Sequence, residues 1–279
     1  MNIVGIGQAG CRISNYLSRY DVYRTYQVDV ENDGYKNFIP VKPQACHEDY
    51  ENNYVNLKLG KIEGDTTVIL SGAGCTSGVV LRLLKQISNK AEISVLYIKP
   101  RTGDMSTLQS THHKICNQVL QQYARSKMIS SIILIDNEMV ETIVAGVEID
   151  NYWDPINQLI GDTFHMINVL RNTEPLLKSS NQVPAPARIK TLSVINLEDK
   201  KEEMFYNLEY PRAKNFYLAL SESFVKDNKS LLSEVRAFVE EQEEEQCDCA
   251  YAIYKTDYDQ NYVYGIHHAS LVQEQNLDL

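Results

Sequence analysis

Two glycine-bearing segments carry the clearest chemistry in this chain. Gly5-Ile6-Gly7-Gln8-Ala9-Gly10 leaves an apolar run and opens a helical pattern, and Ser71-Gly72-Ala73-Gly74-Cys75-Thr76-Ser77-Gly78 does the same farther on. Glycine permits a tight strand-to-helix turn and close approach of backbone to phosphate, and the free N–H groups of a helix start favour an anion. The first segment alone fits a dinucleotide fingerprint, with Asp29, nineteen residues after Gly10, as the acidic residue that grips an adenosine ribose. It also fits a turn that merely packs a helix on a strand. A dinucleotide fold does not require the second segment, whereas two such loops from neighbouring strands can enclose one di- or triphosphate from both sides. Cys247-Asp248-Cys249 with His267-His268 admits a metal reading, but the spacing departs from zinc-ligand patterns, and alternation in a strand puts both thiols on one face, where buried structural cysteine is commoner.

Positioning these groups requires an α/β framework. Short apolar runs at Asn2 to Ile6, Thr25 to Val30, Thr66 to Ser71, Ile93 to Lys99 and Ser131 to Asp136 read as strands of a parallel sheet flanked by helices. Arg12 to Arg19, Ser77 to Ile87 and Leu108 to Ser126 read as the helices between them. A longer helix follows from Asp154 to Asn172, with Asp before Pro as cap and first-turn residue. The polar, proline-punctuated segment 179–186 then predicts a boundary between a nucleotide-binding domain (1–178) and a small α+β domain (179–279). The latter reads as a helix near Lys229 to Glu245 and strands near Ala250 to Tyr254 and Tyr262 to Ile266.

Charge narrows the partners. With 27 basic against 37 acidic residues and a formal net charge of −10, no basic stripe exists to neutralise a nucleic-acid backbone, so direct nucleic-acid binding is not expected. No apolar stretch reaches the length of about 18 residues that a membrane span needs. Met1-Asn2-Ile3-Val4-Gly5 lacks the basic start of a signal peptide, and six scattered cysteines make no disulfide framework, so a reducing cytoplasm is expected.

The ordered set of motifs resembles the tubulin/FtsZ superfamily over roughly residues 1–210. Gly5 to Asn15 resembles the first nucleotide loop of FtsZ, with Gln8 and Cys11 similar to the glutamine and cysteine of tubulin's version. Gly72 to Gly78 resembles the signature Gly-Gly-Gly-Thr-Gly-(Ser/Thr)-Gly, matching at Gly72, Gly74, Ser77 and Gly78 and departing at Ala73, Cys75 and Thr76. Tyr97-Ile98-Lys99-Pro100 is similar to the strand end that precedes the family's ribose-contacting loop, and Asp104 falls where FtsZ has a glutamate. Ile135 to Glu138 resembles the segment whose asparagine contacts guanine. Trp153 and Asn157 have the spacing of the family's base-stacking aromatic and the polar residue one turn later, although a partly buried core aromatic fits Trp153 as well.

That resemblance implies GTP or GDP, with Mg²⁺, held by Gly7, Gln8, Ala9, Cys11 and the loop Gly72 to Gly78 at the phosphates, Asp104 at the ribose, and Asn137 with Trp153 or Asn157 at the base. It implies head-to-tail self-association into filaments, with hydrolysis completed by a loop that one subunit inserts into its neighbour's site. Val194-Ile195-Asn196-Leu197-Glu198 resembles the start of that loop, making Asn196, Glu198 and, through a shift in register, Glu202 the candidates to position water. Lys201 stands where the second acidic group belongs, and a lysine does not orient or deprotonate water as a carboxylate does. The interval between the second strand and Thr66 leaves room only for a reduced form of the family's phosphate-sensing helix and loop, near Glu48 to Lys61. The alternatives are a nucleotide-binding scaffold that does not hydrolyse or does not polymerise, and an NAD(P)-dependent oxidoreductase resting on the first loop and Asp29.

Overall fold

The computed structural model describes residues 1–53, 57–60, 62–144, 146, 149–197 and 199–273. The apolar runs of the first 140 residues pair as six strands: β1 (Asn2–Ile6), β2 (Arg24–Asp29), β3 (Phe38–Pro40), β4 (Gly64–Ser71), β5 (Ala91–Lys99) and β6 (Ser131–Asp136). They lie in the order β3-β2-β1-β4-β5-β6, every neighbouring pair parallel. β1 and β6 are buried at every position, as expected of parallel strands covered on both faces. Between and after these strands run α1 (Gly7–Leu17), α2 (His47–Asn53), α3 (Val80–Ile87), α4 (Thr107–Arg125), α5 (Asn137–Val144) and α6 (Trp153–Arg171), with 3₁₀ turns at Cys75–Val79, Thr102–Asp104 and Ile149–Asn151.

The chain travels outward from β1 through β2 to β3 and then returns to the other side of β1 at β4. Ligands of such sheets bind outside the carboxyl ends of the strands at this reversal point. Here it lies between β1 and β4, whose last paired residues are Ile6 and Leu70, so both glycine segments leave the sheet side by side. Helix α1 starts at Gly7 rather than at Arg12 as its apolar pattern suggests. Gly5 and Gly10 explain the difference: a methyl on Gly10 would meet the Ile69 carbonyl group of β4, so only glycine lets α1 lie this close to the sheet, and packing overrides its poor helix propensity. The segment from Ser77 likewise opens as the 3₁₀ turn and becomes α-helical only at Val80. α4 is fixed at its start by a reciprocal cap, in which Gln109 N donates to Ser106 Oγ and Ser106 N donates to the Gln109 side chain.

The chain divides into two compact units, Met1–Gly161 with the chain end from Val272, and Asp162–Leu271. The division falls inside α6, so segment 179–186 lies within the second unit, where the Asn181 amide donates to the carbonyls of Lys214 and Asp248. That unit contains β7 (Leu177–Lys178), β8 (Ile189–Ile195), β9 (Glu202–Met204), β10 (Pro211–Ser221), α7 (Glu222–Asp227), α8 (Leu231–Glu241), β11 (Asp248–Thr256) and β12 (Tyr262–Ala269). Its strands run in the order β8-β12-β10-β11-β7, with β9 on β8. β10 and β11 are parallel and joined through α7 and α8; Phe216, Leu218 and Leu220 of β10 pack with Val235, Phe238 and Val239 of α8.

Candidate functional site

At the reversal point the two glycine segments meet. Gly7 has φ +67°, a conformation that favours glycine, and a Cβ there would lie 3.9 Å from Thr76 Cβ of the second segment. Neither helix start carries a side-chain cap: Ile6 precedes α1 and Gly74 precedes the 3₁₀ turn, both with extended backbone, and no acidic residue occupies either first turn. Uncapped N–H groups therefore converge from both sides, which suits a polyphosphate. Gln8, Gly74 and Cys75 are exposed, Ala9 and Thr76 are half-exposed, and Ala73, Ser77 and Gly78 are buried beneath them.

Cys11 departs from the phosphate-side role that the resemblance implies. Its thiol is fully buried and points into the sheet, donating to the carbonyls of Gly5 and Val28 at 3.6 Å each, and burial with the nearby Asp29 charge pushes its pKa up to about 12. Asp29, at the end of β2, accepts from Thr76 Oγ1 at 3.3 Å and from Val30 N at 2.8 Å. Burial raises its carboxyl above the ordinary value, and these two donors partly offset the rise. A carboxylate committed to the second glycine segment is poorly placed to hold an adenosine ribose.

The far rim is built by β5, β6, α5 and α6. Lys99 and Asp136, paired across the ends of β5 and β6, form a 2.7 Å ion pair, and Asp136 also accepts from Glu138 N. Glu138 accepts from Thr102 N at 3.1 Å, tying the 3₁₀ turn that carries the exposed Asp104 to α5. Asn137 is the first residue of α5, and Asn157 lies in α6 with 8% exposure. Neither amide has a hydrogen-bond partner among the described residues, which leaves the full donor and acceptor capacity of both for a ligand. Trp153, 38% exposed at the start of α6, stands edge-on to Tyr152 with ring centroids 4.9 Å apart.

In the second unit the three candidates near the inserted loop separate. Val194 and Ile195 are the last residues of β8, which pairs antiparallel with β9, and Asn196 N donates to the Lys201 carbonyl at 3.0 Å between the two strands. Glu198 lies outside the described residues. Glu202 faces inward: its Oε1 accepts from Ser193 Oγ at 2.5 Å and contacts His267 Nε2 at 2.6 Å, with only 14% of the side chain exposed. Burial alone would raise this carboxyl, but His267, Ser193 and Lys214 outweigh it and hold it below the ordinary value. A carboxylate so engaged is structural, which removes Glu202 from the water-positioning set. Lys201 pairs with Glu203.

His267 and His268 are successive residues of β12 and so face opposite sides of the sheet. His267 meets Glu202 and His268 meets Asn215 at 3.1 Å; burial, with Lys190 and Arg171 nearby, pushes His268 down to about 3. Among the described residues no group of three or more His, Cys, Asp or Glu is arranged to hold a metal ion, and no helix is long and apolar enough to cross a membrane. All six cysteines are free.

Sequence reasoning missed the polar layer behind the second glycine segment. His47 Nε2 contacts Ser77 Oγ at 3.0 Å, and Tyr97 Oη contacts His113 Nδ1 at 2.7 Å and donates to the His113 carbonyl at 3.0 Å. A Cβ on Gly72 would stand 2.8 Å from Tyr97 Cζ and nearer still to its hydroxyl. The available signal was His112-His113 within the buried face of α4, which also includes Cys116, Asn117, Leu120, Gln121 and Ala124 at helical spacing.

No family model and no curated protein matches the sequence. Solved structures do match along nearly the whole chain. The GTPγS-form protofilament of Bacillus thuringiensis serovar israelensis TubZ aligns at TM-score 0.69 and 13% identity, covering 98% of this chain and 86% of TubZ. The GTPγS-bound protofilament of CetZ2 from Haloferax volcanii aligns at 0.67 and 14%, covering 96% and 92%. The empty FtsZ dimer of M. jannaschii aligns at 0.66 and 10%, covering 96% and 87%. The chain has the tubulin/FtsZ fold.

Proposed function

We propose that this protein binds GTP and GDP in the hollow between the two glycine segments and self-associates head to tail into filaments. The observation that carries the reading is the meeting of Gly7 and Thr76 at the sheet's reversal point, where two uncapped helix starts face one space. Gly7, Gln8, Ala9 and the exposed part of Gly72 to Gly78 hold the phosphates, Asp104 takes the ribose, and the unspent amides of Asn137 and Asn157 read the purine with Trp153 as stacking platform. The triphosphate brings Mg²⁺. Self-association is supported by the protofilament forms in which TubZ and CetZ2 were solved, and a heterologous contact whose rotation does not close produces a filament. A cytoplasmic setting suits six free thiols.

Trp153, the single tryptophan, supplies the test. Titrating GTP into the protein should change its fluorescence, GTP or GDP should co-purify, and light scattering should rise when GTP is added. Absence of any bound guanine nucleotide overturns the reading; bound nucleotide with unchanged fluorescence removes Trp153 from the base platform.

Hydrolysis is the finer part of the proposal. Glu198 acts across the subunit contact, so Glu198→Ala should slow phosphate release without loosening GTP binding. A second reading, a nucleotide-dependent scaffold without turnover, is favoured by the inward engagement of Glu202 and by Lys201 between β8 and β9. Filaments that form with GTP and release no phosphate would decide for it.

A further inference from the structure

The second glycine segment is held from behind by a chain of hydrogen bonds that begins on α2. Ser77 Oγ has one proton and gives it to the Gly74 carbonyl at 2.6 Å, much nearer than the Gly72 carbonyl at 3.4 Å, and Ser77 N donates to the same Gly74 carbonyl at 3.0 Å. The 3.0 Å contact with His47 therefore requires His47 Nε2 to carry a hydrogen and donate, leaving Nδ1 bare. Every described peptide bond is trans, so the Gly74 carbonyl and the Cys75 N–H of the same peptide group point in opposite directions. Holding the carbonyl toward Ser77 thus turns the Cys75 N–H away from Ser77, at a point where Gly74 and Cys75 are both exposed. α2 is seated closely enough to make this geometry firm: a Cβ on Gly78 would lie 3.0 Å from the carbonyl carbon of His47 and 3.1 Å from Tyr50 Cβ.

The imidazole lies beside a second histidine, which is buried and in turn faces a carboxylate. The ring of His112, from α4, lies 4.9 Å from that of His47 at 35°, and His112 is 4% exposed with no hydrogen bond at either ring nitrogen. Glu48, on the same helix as His47, reaches to 3.7 Å from His112 Nε2. Nearby on the surrounding elements are His113 of α4, committed to Tyr97, Arg82 of α3, committed to the Glu51 carbonyl, and Cys46 and Asp49 beside Glu48; α2 also carries Tyr50 and Glu51, α3 Lys85, and α4 Lys114, Cys116, Tyr123 and Arg125. Burial, then His112, lowers the pKa of His47, so the ring is neutral near pH 7 in the free protein.

We infer that His47 is a positioning residue of the phosphate loop, and that its bare Nδ1 takes up a proton when a polyphosphate binds on the far side of Ser77. The inference rests on the nucleotide reading above. Its sign follows from linkage. The negative charge of the ligand favours the imidazolium, the Nε2–H donor to Ser77 is kept in both states, and binding must therefore tighten as pH falls through the titration of His47. A full linked proton changes affinity about tenfold per pH unit, so a titration that binding moves from below pH 6 to about pH 7 gives a change of about tenfold between pH 8 and pH 6.

The test is calorimetric titration of the full chain with GTP at pH 6 and pH 8, each in two buffers of different ionisation enthalpy, for wild type, His47→Gln and His47→Ala. Glutamine retains an N–H donor for Ser77 and cannot be protonated. It should bind GTP like wild type at pH 8 but lack the proton uptake that wild type shows beyond the nucleotide's own titration. Alanine removes both the donor and the protonatable ring, so it should weaken binding about tenfold at pH 8 and about a hundredfold at pH 6 relative to wild type. Equal proton uptake in wild type and His47→Gln, or unweakened binding by a folded His47→Ala, overturns the inference and leaves the nucleotide reading intact. If wild type binds no GTP at either pH, both fall.

Discussion

The same small change, Gly→Ala, should have opposite effects at two glycines of the candidate site. At Gly10 the new methyl would lie 3.0 Å from the carbonyl carbon of Ile69 and nearer to its oxygen, with the Gly5 carbonyl carbon 3.3 Å away. Ordinary contacts require about 3.5 Å or more, so α1 must retreat from β4 by roughly 1 Å. The obstruction is backbone in an interior strand, which has no rotamer to change. Overpacking of this kind costs about 3 kcal/mol at the upper end of its usual range. For a chain of this size, that lowers Tm by about 6–10 °C. At Gly74, nothing lies within 4 Å of the added methyl and φ is −78°, which alanine adopts freely. There the loss of unfolded-state freedom should stabilise the protein by about 0.5 kcal/mol, or roughly 1–2 °C. Yet if a phosphate rests against this turn, Gly74→Ala should weaken GTP binding about tenfold, or about 1.4 kcal/mol. Thermal melts by circular dichroism and calorimetric GTP titration measure both quantities. An unaffected Tm in Gly10→Ala would refute the packing argument, and wild-type affinity in Gly74→Ala would place the phosphates elsewhere.

Asn137→Ala and Asn157→Ala should each leave Tm within about 1 °C, since neither amide has a partner among the described residues to lose, while reducing GTP affinity by about five- to tenfold; competition with ATP reads the loss of base discrimination. Glu202→Ala strips Ser193 and His267 of their shared acceptor and should cost the second unit about 2–3 kcal/mol, seen as a lower denaturant midpoint. Because the folded carboxyl of Glu202 is depressed, its contribution is complete above the unfolded glutamate value of about 4.3 and is lost as pH falls through the lower folded value. Glu202→Gln should flatten that acid limb of the stability curve; an unchanged limb would show that the pair is not linked to folding.

Much of the first unit was readable because parallel strands advertise themselves as unbroken apolar runs. β6 begins and ends where the run Ser131 to Asp136 does, and α4 and α6 each fall within one residue of their expected spans. The glycine segments were legible because their residue types constrain the backbone directly. Missed elements depend on distant partners instead. β10, the long strand that supplies Phe216, Leu218 and Leu220 to the core, begins at Pro211, and Tyr210-Pro211-Arg212 gives a local turn signal that hides it. Cys11 and Glu202 were assigned outward roles from position in a motif, yet which way each side chain turns is decided by acceptors and donors seventeen and sixty-five residues away. The His47 to Ser77 contact had no sequence signal, because α2 is short and meets the loop only through the tertiary fold.

The closeness of Gly72 to Tyr97 bears on how this protein can evolve. No lineage can enlarge residue 72 while residue 97 keeps its phenol oxygen, and discarding that oxygen frees the His113 ring and main-chain carbonyl it now engages. Three positions on three different elements should therefore drift as one. In diverged relatives, an alanine at the equivalent of 72 ought to travel with a side chain smaller than phenylalanine at 97, because the ring carbon Cζ would itself lie 2.8 Å from the new methyl, and with a replacement for the histidine at 113.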